Sequence, residues 1–415
     1  MLRSKLNIES IVTDNIMAAL WAAILFLPFH GIIEILGNDS QLQVSHQVFC
    51  VTSIGLVLAG SSLLIAKNRL NQWSWTLPCL LVVSSAYALL SISSAADSWK
   101  FILVVAPIGL GILAGILIFM LDSEMRFWTI GLYINLINLA VNFYKFFTST
   151  PDLMSADLGR YGGLIGHPAG LFFPSMILAA VAYSKSRIED SCKPDGLFLF
   201  FSSMLTMLMT GYRSAALGLS ISLLSNLRGQ HIIKTCHWIM AVACLFGLMA
   251  AFTLRNSNSA RLASTERSSI SRIASVQAGV DSFLSNPIVG MGPGQFVGQA
   301  DYKHSGKLHD SVTTKGGNLA VHLLSEWGLL GAIPLLVAFL WLGLRLLKAP
   351  GDKAGFHKPI CLGVLVVFLL DVPIFHFLHP GSTLLFAIWF SLAAYAARLN
   401  PESLPYSPSE AKGEE

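Results

Sequence analysis

The sequence predicts an all-α membrane protein with about twelve transmembrane helices and a long outer loop containing short helices. Three observations carry this expectation. The 415 residues are 54% hydrophobic and only 12% charged, with a mean hydropathy of +0.64, far from the composition of soluble globular chains. Apolar stretches recur along the chain, each near the ~20 residues a helix needs to cross the hydrocarbon core. The polar connections between them are short, with one exception late in the chain.

In chain order, the spans are expected at about 14–36, 46–66, 75–95, 101–121, 127–147, 163–184, 196–211, 214–227, 235–254, 318–344, 359–376 and 381–397. The first run, "NIMAALWAAILFLPFHGIIEIL", is as long as a full span and others follow at once, so it reads as an anchor and not as a cleaved leader. Cys50, Cys79, Cys236, Cys244 and Cys361 fall in apolar runs and Cys192 in a short basic loop, which suggests no disulfide framework. No internal repeat is visible. The tail at 400–415, "PESLPYSPSEAKGEE", is polar and proline-containing and is expected to be disordered.

Basic residues set the orientation. With these spans, both termini share one side, and that side holds 16 Lys and Arg against 4 in the short outer loops, Lys100, Lys145, Arg160 and Arg213. The richer side is the cytoplasm by the positive-inside rule, from which long loops are excluded. Residues 196–227 are short for two crossings, yet a single crossing would strand Arg213 in mid-membrane and reverse the bias downstream. Two crossings joined by a turn at "MTGYRSA" are therefore expected. That turn must lie below the outer surface, where an arginine is costly unless something anionic meets it.

The exception to short connections is 255–316, a length that marks functional or disordered loops. Within it, "SSISRIASVQAGVDSFLSNP" places Ile273, Val276, Val280 and Phe283 at helical spacing, with serines to cap and Asn286-Pro287 to stop. An amphipathic helix is expected, with Arg261, Thr265, Ser268 and Arg272 on one face if it begins early enough. The loop carries 7 basic and 4 acidic residues, a balance suited to an anionic ligand. Next comes "NPIVGMGPGQF", whose Gly290, Gly292 and Gly294 invite comparison with phosphate-binding loops. A dinucleotide fingerprint needs a strand before it and a helix after it, and neither is expected here. A tight turn closing the loop helix back toward the membrane is the safer reading, and a backbone nest near phosphates the other.

Three stretches together resemble the O-antigen ligase and Wzy-type polymerase superfamily of bacterial membrane glycosyltransferases. "TGYRSAALGLSISLL" at 210–224 looks like its Thr-Gly-Ser-Arg turn and following helix. "SRIASVQAGVDSFLSNPIVGMGPGQF" at 271–296 is similar to its Arg-led helix ending in Pro-x-x-Gly-x-Gly-x-x-x-Phe, and "GGNLAVHLLSEWGLLGAIPLL" at 316–336 to its Asn and Glu-x-Gly-x-x-Gly segment. "GRYGGLIGHPAG" at 159–170 adds a weaker match. The chain then divides into N-terminal transmembrane helices at 1–158, a ligase and polymerase-like region at 159–345 with its periplasmic loop at 255–316, C-terminal transmembrane helices at 346–399, and the tail.

The resemblance implies a GT-C-like enzyme of the bacterial inner membrane with both termini cytoplasmic and a periplasmic active site. Its donor would be an undecaprenyl-pyrophosphate-linked glycan, and its acceptor a sugar hydroxyl on another glycan or on a lipid A core. It implies no cofactor, no metal and no nucleic acid. Arg213 and Arg272 match the family's two arginines, expected to grip the pyrophosphate through planar, permanently charged forks. Relatives commonly carry His-Asn where this chain has Gly317-Asn318. His309 in the loop and His322 in the next helix are the candidate substitutes as general base, with His376 and His379 a third possibility.

Each residue also has a plainer reading. Arg213 would snorkel at a helix end, Arg272 would be a solvated charge, His309 a surface residue and His322 a packing one. Glu326 would brace its helix, and Asp371 would pair with an outer arginine as readily as take part in chemistry. His304, His309 and "HFLHP" have no recognisable metal-ligand spacing. Ligase and polymerase both remain open, and the missing histidine tilts toward polymerase of an O-antigen or exopolysaccharide. The alternative from another class is a polytopic transporter or flippase for lipid-linked glycans, against which stand the absent repeat of halves and the late outer loop.

Overall fold

The computed structural model describes residues 98–121, 123–148, 168–188, 194–224, 259–296, 298–304, 307–313, 317–348, 352–372, 374–375 and 379–397, with 16 and 19–22. Its helices are α1 (Ser98–Met120), α2 (Glu124–Phe147), α3 (Pro168–Ile188), α4 (Pro194–Met209), α5 (Arg213–Leu224), α6 (Ser259–Ser285), α7 (Leu319–Lys348), α8 (Asp352–Leu370) and α9 (Pro380–Ala396). Between α6 and α7 lies a two-stranded antiparallel hairpin, β1 (Gly298–His304) and β2 (Lys307–Thr313). The fold is mostly helical. Three described helices, over Lys100–Met120, Glu124–Phe147 and Leu319–Lys348, are long and apolar enough to cross a membrane, and four shorter apolar helices accompany them. The expected spans at 14–36, 46–66, 75–95 and 235–254, and the tail at 400–415, fall largely or wholly outside the described residues.

α3 is the hub. From Leu171 to Ser184 every residue is buried, because α4, α5 and α8 pack around it, and a helix apolar on all sides has no face to give to water. One of its buried hydroxyls reaches across the seam, where Ser175 Oγ donates to Asn135 Oδ1 of α2 at 3.0 Å. α1 lies closely along α9. A Cβ at Gly111 would come within 2.6 Å of Ala387 Cβ, and one at Gly115 within 2.6 Å of Ser391 Cβ. This Gly-x-x-x-Gly spacing removes side chains from one stripe so that two backbones approach, the usual way helices associate where no water is left to expel.

α5 and α8 cross in the same way at Gly218 and Gly363, where a Cβ on Gly218 would sit 2.8 Å from the Gly363 carbonyl oxygen. From this crossing the chains run in opposite directions. The start of α5 therefore meets the end of α8, bringing Ser214 to Asp371.

Among its described residues, the long connection at 255–316 departs from expectation in two respects. It holds one helix of 27 residues, α6, and a β-hairpin instead of short helices. The face of α6 that packs on the protein is Ala274, Ser275 and Ala278, while Ile273 and Val280 point outward. Small residues allow the helix to dock closely, and the larger apolar residues are left on the opposite side.

Candidate functional site

Arg213 owes its position to the shortness of α4. Sixteen residues rise about 24 Å, less than the ~30 Å of a hydrocarbon core. The helix ends at Gly211, whose φ of +70° is the left-handed conformation that closes helices. Tyr212 is fixed by stacking on Phe172 of α3 at 4.2 Å between ring centroids. Arg213 then opens α5 and is exposed. A cation in the first turn of a helix works against the helix dipole, so the residue contributes little to the stability of α5. The guanidinium and the N–H groups of a helix start both favour an anion.

Arg272 arrives from the other side, on α6. Its Nη2 lies 3.8 Å from Asp371 Oδ2, and the arginine side chain is half exposed, at 52%, over an almost wholly buried carboxylate. The same Oδ2 accepts a hydrogen bond from Ser214 Oγ at 3.4 Å, and Oδ1 accepts from the Val372 N–H at 2.9 Å. Asp371 thus ties the loop helix to the residue next to Arg213. With so much of the guanidinium in solvent, the ion pair itself contributes no more than about 1 kcal/mol. Its role is geometric: a carboxylate at the end of α8 holds α6 against the start of α5.

The glycine-rich segment does not form a phosphate cradle of its own. It fills a break in α7. At Gly328 the backbone leaves the helix, with φ +57° and ψ −167°, which deprives the first piece of acceptors' partners and the second of its donors'. The loop supplies both. Met291 and Gly292 donate their N–H groups to the carbonyls of Ser325 and Glu326 at 3.0 and 2.8 Å, and Leu329 and Leu330 donate to those of Pro287 and Ile288 at 2.9 and 3.1 Å. Such contact is backbone on backbone: a Cβ at Gly290, where φ is +74°, would run into the Glu326 carbonyl, and one at Gly328 into that of Ile288.

Glu326 completes the junction from within. Its Oε2 accepts from the Gly294 N–H at 2.8 Å and its Oε1 from the Phe296 N–H at 3.3 Å, so a buried carboxylate serves as a substitute for missing backbone partners. Asn318 caps α7, with Oδ1 accepting from the Val321 N–H at 2.9 Å. Gly317 sits at φ +81°, and a Cβ there would strike Val276 of α6. The position at which relatives commonly carry histidine is thus closed to a side chain in this arrangement.

His322 lies in the first turns of α7 and is completely buried. Its Nε2 is 3.3 Å from the Phe375 carbonyl and 3.7 Å from Glu326 Oε2, and Phe296 meets it edge-on. Phe375 is the one non-glycine residue with positive φ among the described residues, at +57°. It is pinned by the Thr383 hydroxyl, which accepts its N–H at 2.8 Å. His309 lies in β2, paired with Tyr302 of β1. His379 precedes α9 as its cap residue, and His376 is outside the described residues. Among the described residues no group of three or more His, Cys, Asp or Glu is placed to hold a metal ion.

Of the expected residues, then, Arg272 pairs with Asp371, which also holds Ser214 beside Arg213, and His322 lies in the packed interior behind the glycine segment. The partner shared by the arginines' elements, Asp371, had only the general signal of an acid at a span end. Residues 197–336 match the family model described as O-Antigen ligase. No curated protein matches the chain. The matched stretch runs from α4 to the middle of α7, so it includes both arginines, the glycine segment and the break, and ends before Asp371.

Proposed function

With residues 197–336 belonging to the O-antigen ligase family, we propose that the chain is a membrane glycosyltransferase that moves a glycan from a polyprenyl-pyrophosphate carrier, normally undecaprenyl pyrophosphate, to a sugar hydroxyl. The family and the apolar helices support a membrane protein of O-antigen processing. The observation that carries the finer reading is that Arg272 of α6 and Ser214, next to the exposed Arg213 at the start of α5, meet at one carboxylate, Asp371.

The step is a displacement at the anomeric carbon. The acceptor oxygen forms a bond to that carbon, the bond from carbon to the pyrophosphate oxygen breaks, and the carrier leaves as polyprenyl pyrophosphate. Negative charge grows on the departing oxygen, and two fixed guanidinium groups meet it without reorganising. The acceptor's proton passes to a base. We assign that role to His309 in the loop hairpin in preference to His322, whose ring has no exposed surface and whose Nε2 faces a main-chain carbonyl. Because pyrophosphate is already a competent leaving group, charge stabilisation carries most of the rate. The acceptor is a second lipid-linked glycan for a polymerase or a lipid A core for a ligase. In this reading about twelve spans cross the inner membrane, the termini are cytoplasmic and 255–316 is periplasmic, so a cysteine at Ser305 is labelled from the periplasmic side.

The test is to incubate purified protein with polyprenyl-pyrophosphate-linked glycan and each acceptor, and to measure released polyprenyl pyrophosphate. Arg213→Ala and Arg272→Ala should each lower transfer by about 10²-fold, the scale for loss of one charge-stabilising donor. Transfer that survives both substitutions rejects the site. Flux of lipid-linked glycan across liposomes without transfer to either acceptor establishes the transporter instead.

A further inference from the structure

α6 is amphipathic in the opposite sense to a helix on a water-facing domain. The side toward the protein is small and partly polar, Ala274, Ser275 and Ala278, and the side away from it is apolar. Ile273, Val280 and Leu284 follow one another at steps of seven and four, which places them on one face, and Leu284 is 67% exposed. Beyond the helix the apolar surface continues through Ile288, 61% exposed, and Val289.

It does not end there. The N–H groups of Leu329 and Leu330 hold the carbonyls of Pro287 and Ile288, so the loop surface joins that of α7 at its break. Leu330 and Ile333 are exposed, and Val337, Leu340 and Leu344 carry the row down the helix at steps of four, three and four. The second piece of α7, 329–348, rises about 30 Å, a full hydrocarbon thickness, so this row faces lipid wherever α7 crosses. An apolar surface thus runs from the lipid-facing side of α7 through Ile288 and Val289 to the outward residues of α6. Large contiguous patches of this kind mark interaction sites, and continuity with the bilayer surface says which.

We propose that the outward face of α6, together with Ile288 and Val289, is embedded among the acyl chains of the adjoining leaflet as an in-plane amphipathic helix, the kind that sinks about 5–10 Å into the boundary of a bilayer. The break at Gly328 is where the segment following this in-plane helix is hydrogen-bonded to the crossing piece of α7. The docking holds Arg272 at headgroup depth, where the phosphate of any membrane-held lipid lies. It rests on α7 spanning the membrane and not on the transferase reading.

The experiment uses the full chain in proteoliposomes, with native cysteines replaced and single cysteines carrying an environment-sensitive fluorophore. The labels sit at Leu284→Cys and Ile288→Cys, with Leu340→Cys as the core control and Ser285→Cys, exposed on another side of α6, as the aqueous control. Lipids brominated near the headgroup should quench the labels at 284 and 288 at least about two-fold more than the label at 285, and more than lipids brominated at the chain ends do, as a shallow element requires. Iodide in the buffer reaching 284 and 288 as well as 285 overturns the proposal. Quenching by lipid that vanishes as protein density rises overturns it too, since a second copy then covers the face. A preparation with no transfer activity that still shows the shallow quenching rejects the proposed reaction and leaves the docking intact.

Discussion

Two junctions in this molecule are built on glycine, and they work by different physics. Where α1 meets α9, Gly111 and Gly115 are ordinary helical residues whose value is the volume they lack, letting Ala387 and Ser391 approach. Where the segment 286–296 meets the break in α7, Gly290 and Gly328 adopt left-handed backbone, and the join is made of hydrogen bonds between main chains. The first is a contact of surfaces and tolerates a shift of one helix along the other. The second pairs specific donors with specific acceptors and tolerates almost none. The difference suits their positions: the seam only has to hold, while the break has to place Arg272, on the helix leading into it, beside Asp371.

The comparison can be broken most sharply at Gly328. Gly328→Val puts a branched side chain on positive φ and drives its Cβ into the Ile288 carbonyl, and the expected cost exceeds about 3 kcal/mol. Thermal unfolding in detergent should show the lower midpoint, and limited proteolysis should show cleavage within 286–296 that the native protein resists. If the protein unfolds as before and the segment stays protected, the interlocked description of the break is wrong.

Glu326→Gln is next. One carboxylate now accepts the Gly294 and Phe296 N–H groups on separate oxygens, and an amide offers only one acceptor atom, so a loss of about 2 kcal/mol is expected. Hydrogen exchange at 290–296 should rise while that of α1 and α9 does not change. Gly115→Ala in the seam is expected to cost about 1–3 kcal/mol, since its Cβ would come 2.6 Å from Ser391 Cβ and 2.8 Å from the Ile388 carbonyl. It should leave exchange in the glycine segment untouched. A larger effect there than from Glu326→Gln would mean that the two junctions are coupled.

Much of the fold was legible from hydropathy. The expected spans 101–121 and 127–147 fall within a few residues of α1 and α2, and the turn at "MTGYRSA" does separate α4 from α5. The expected span 359–376 lies several residues late, because α8 begins at Asp352 among charged residues that a search for apolar runs passes over. The hairpin was missed for a related reason. "GQADYKH" and "KLHDSVT" show little of the apolar alternation or β-branched content that signals strands, and the only hint was the Ser-Gly pair between His304 and Lys307. The residues of α6 were placed on a helix correctly, yet its apolar stripe faces outward, since spacing tells which residues share a face and not what that face meets.

Membrane class and helix positions were within reach of the sequence because each depends on residues close together in the chain. Burial energy per helix and the turn at Gly211 are local quantities of this sort. The meeting of Ser214 with Asp371 and the break at Gly328 filled by a distant segment were not. Each joins atoms from separate stretches of the chain, brought together by the crossing of α5 and α8 at Gly218 and Gly363 and by the need of a broken helix to pair its exposed backbone.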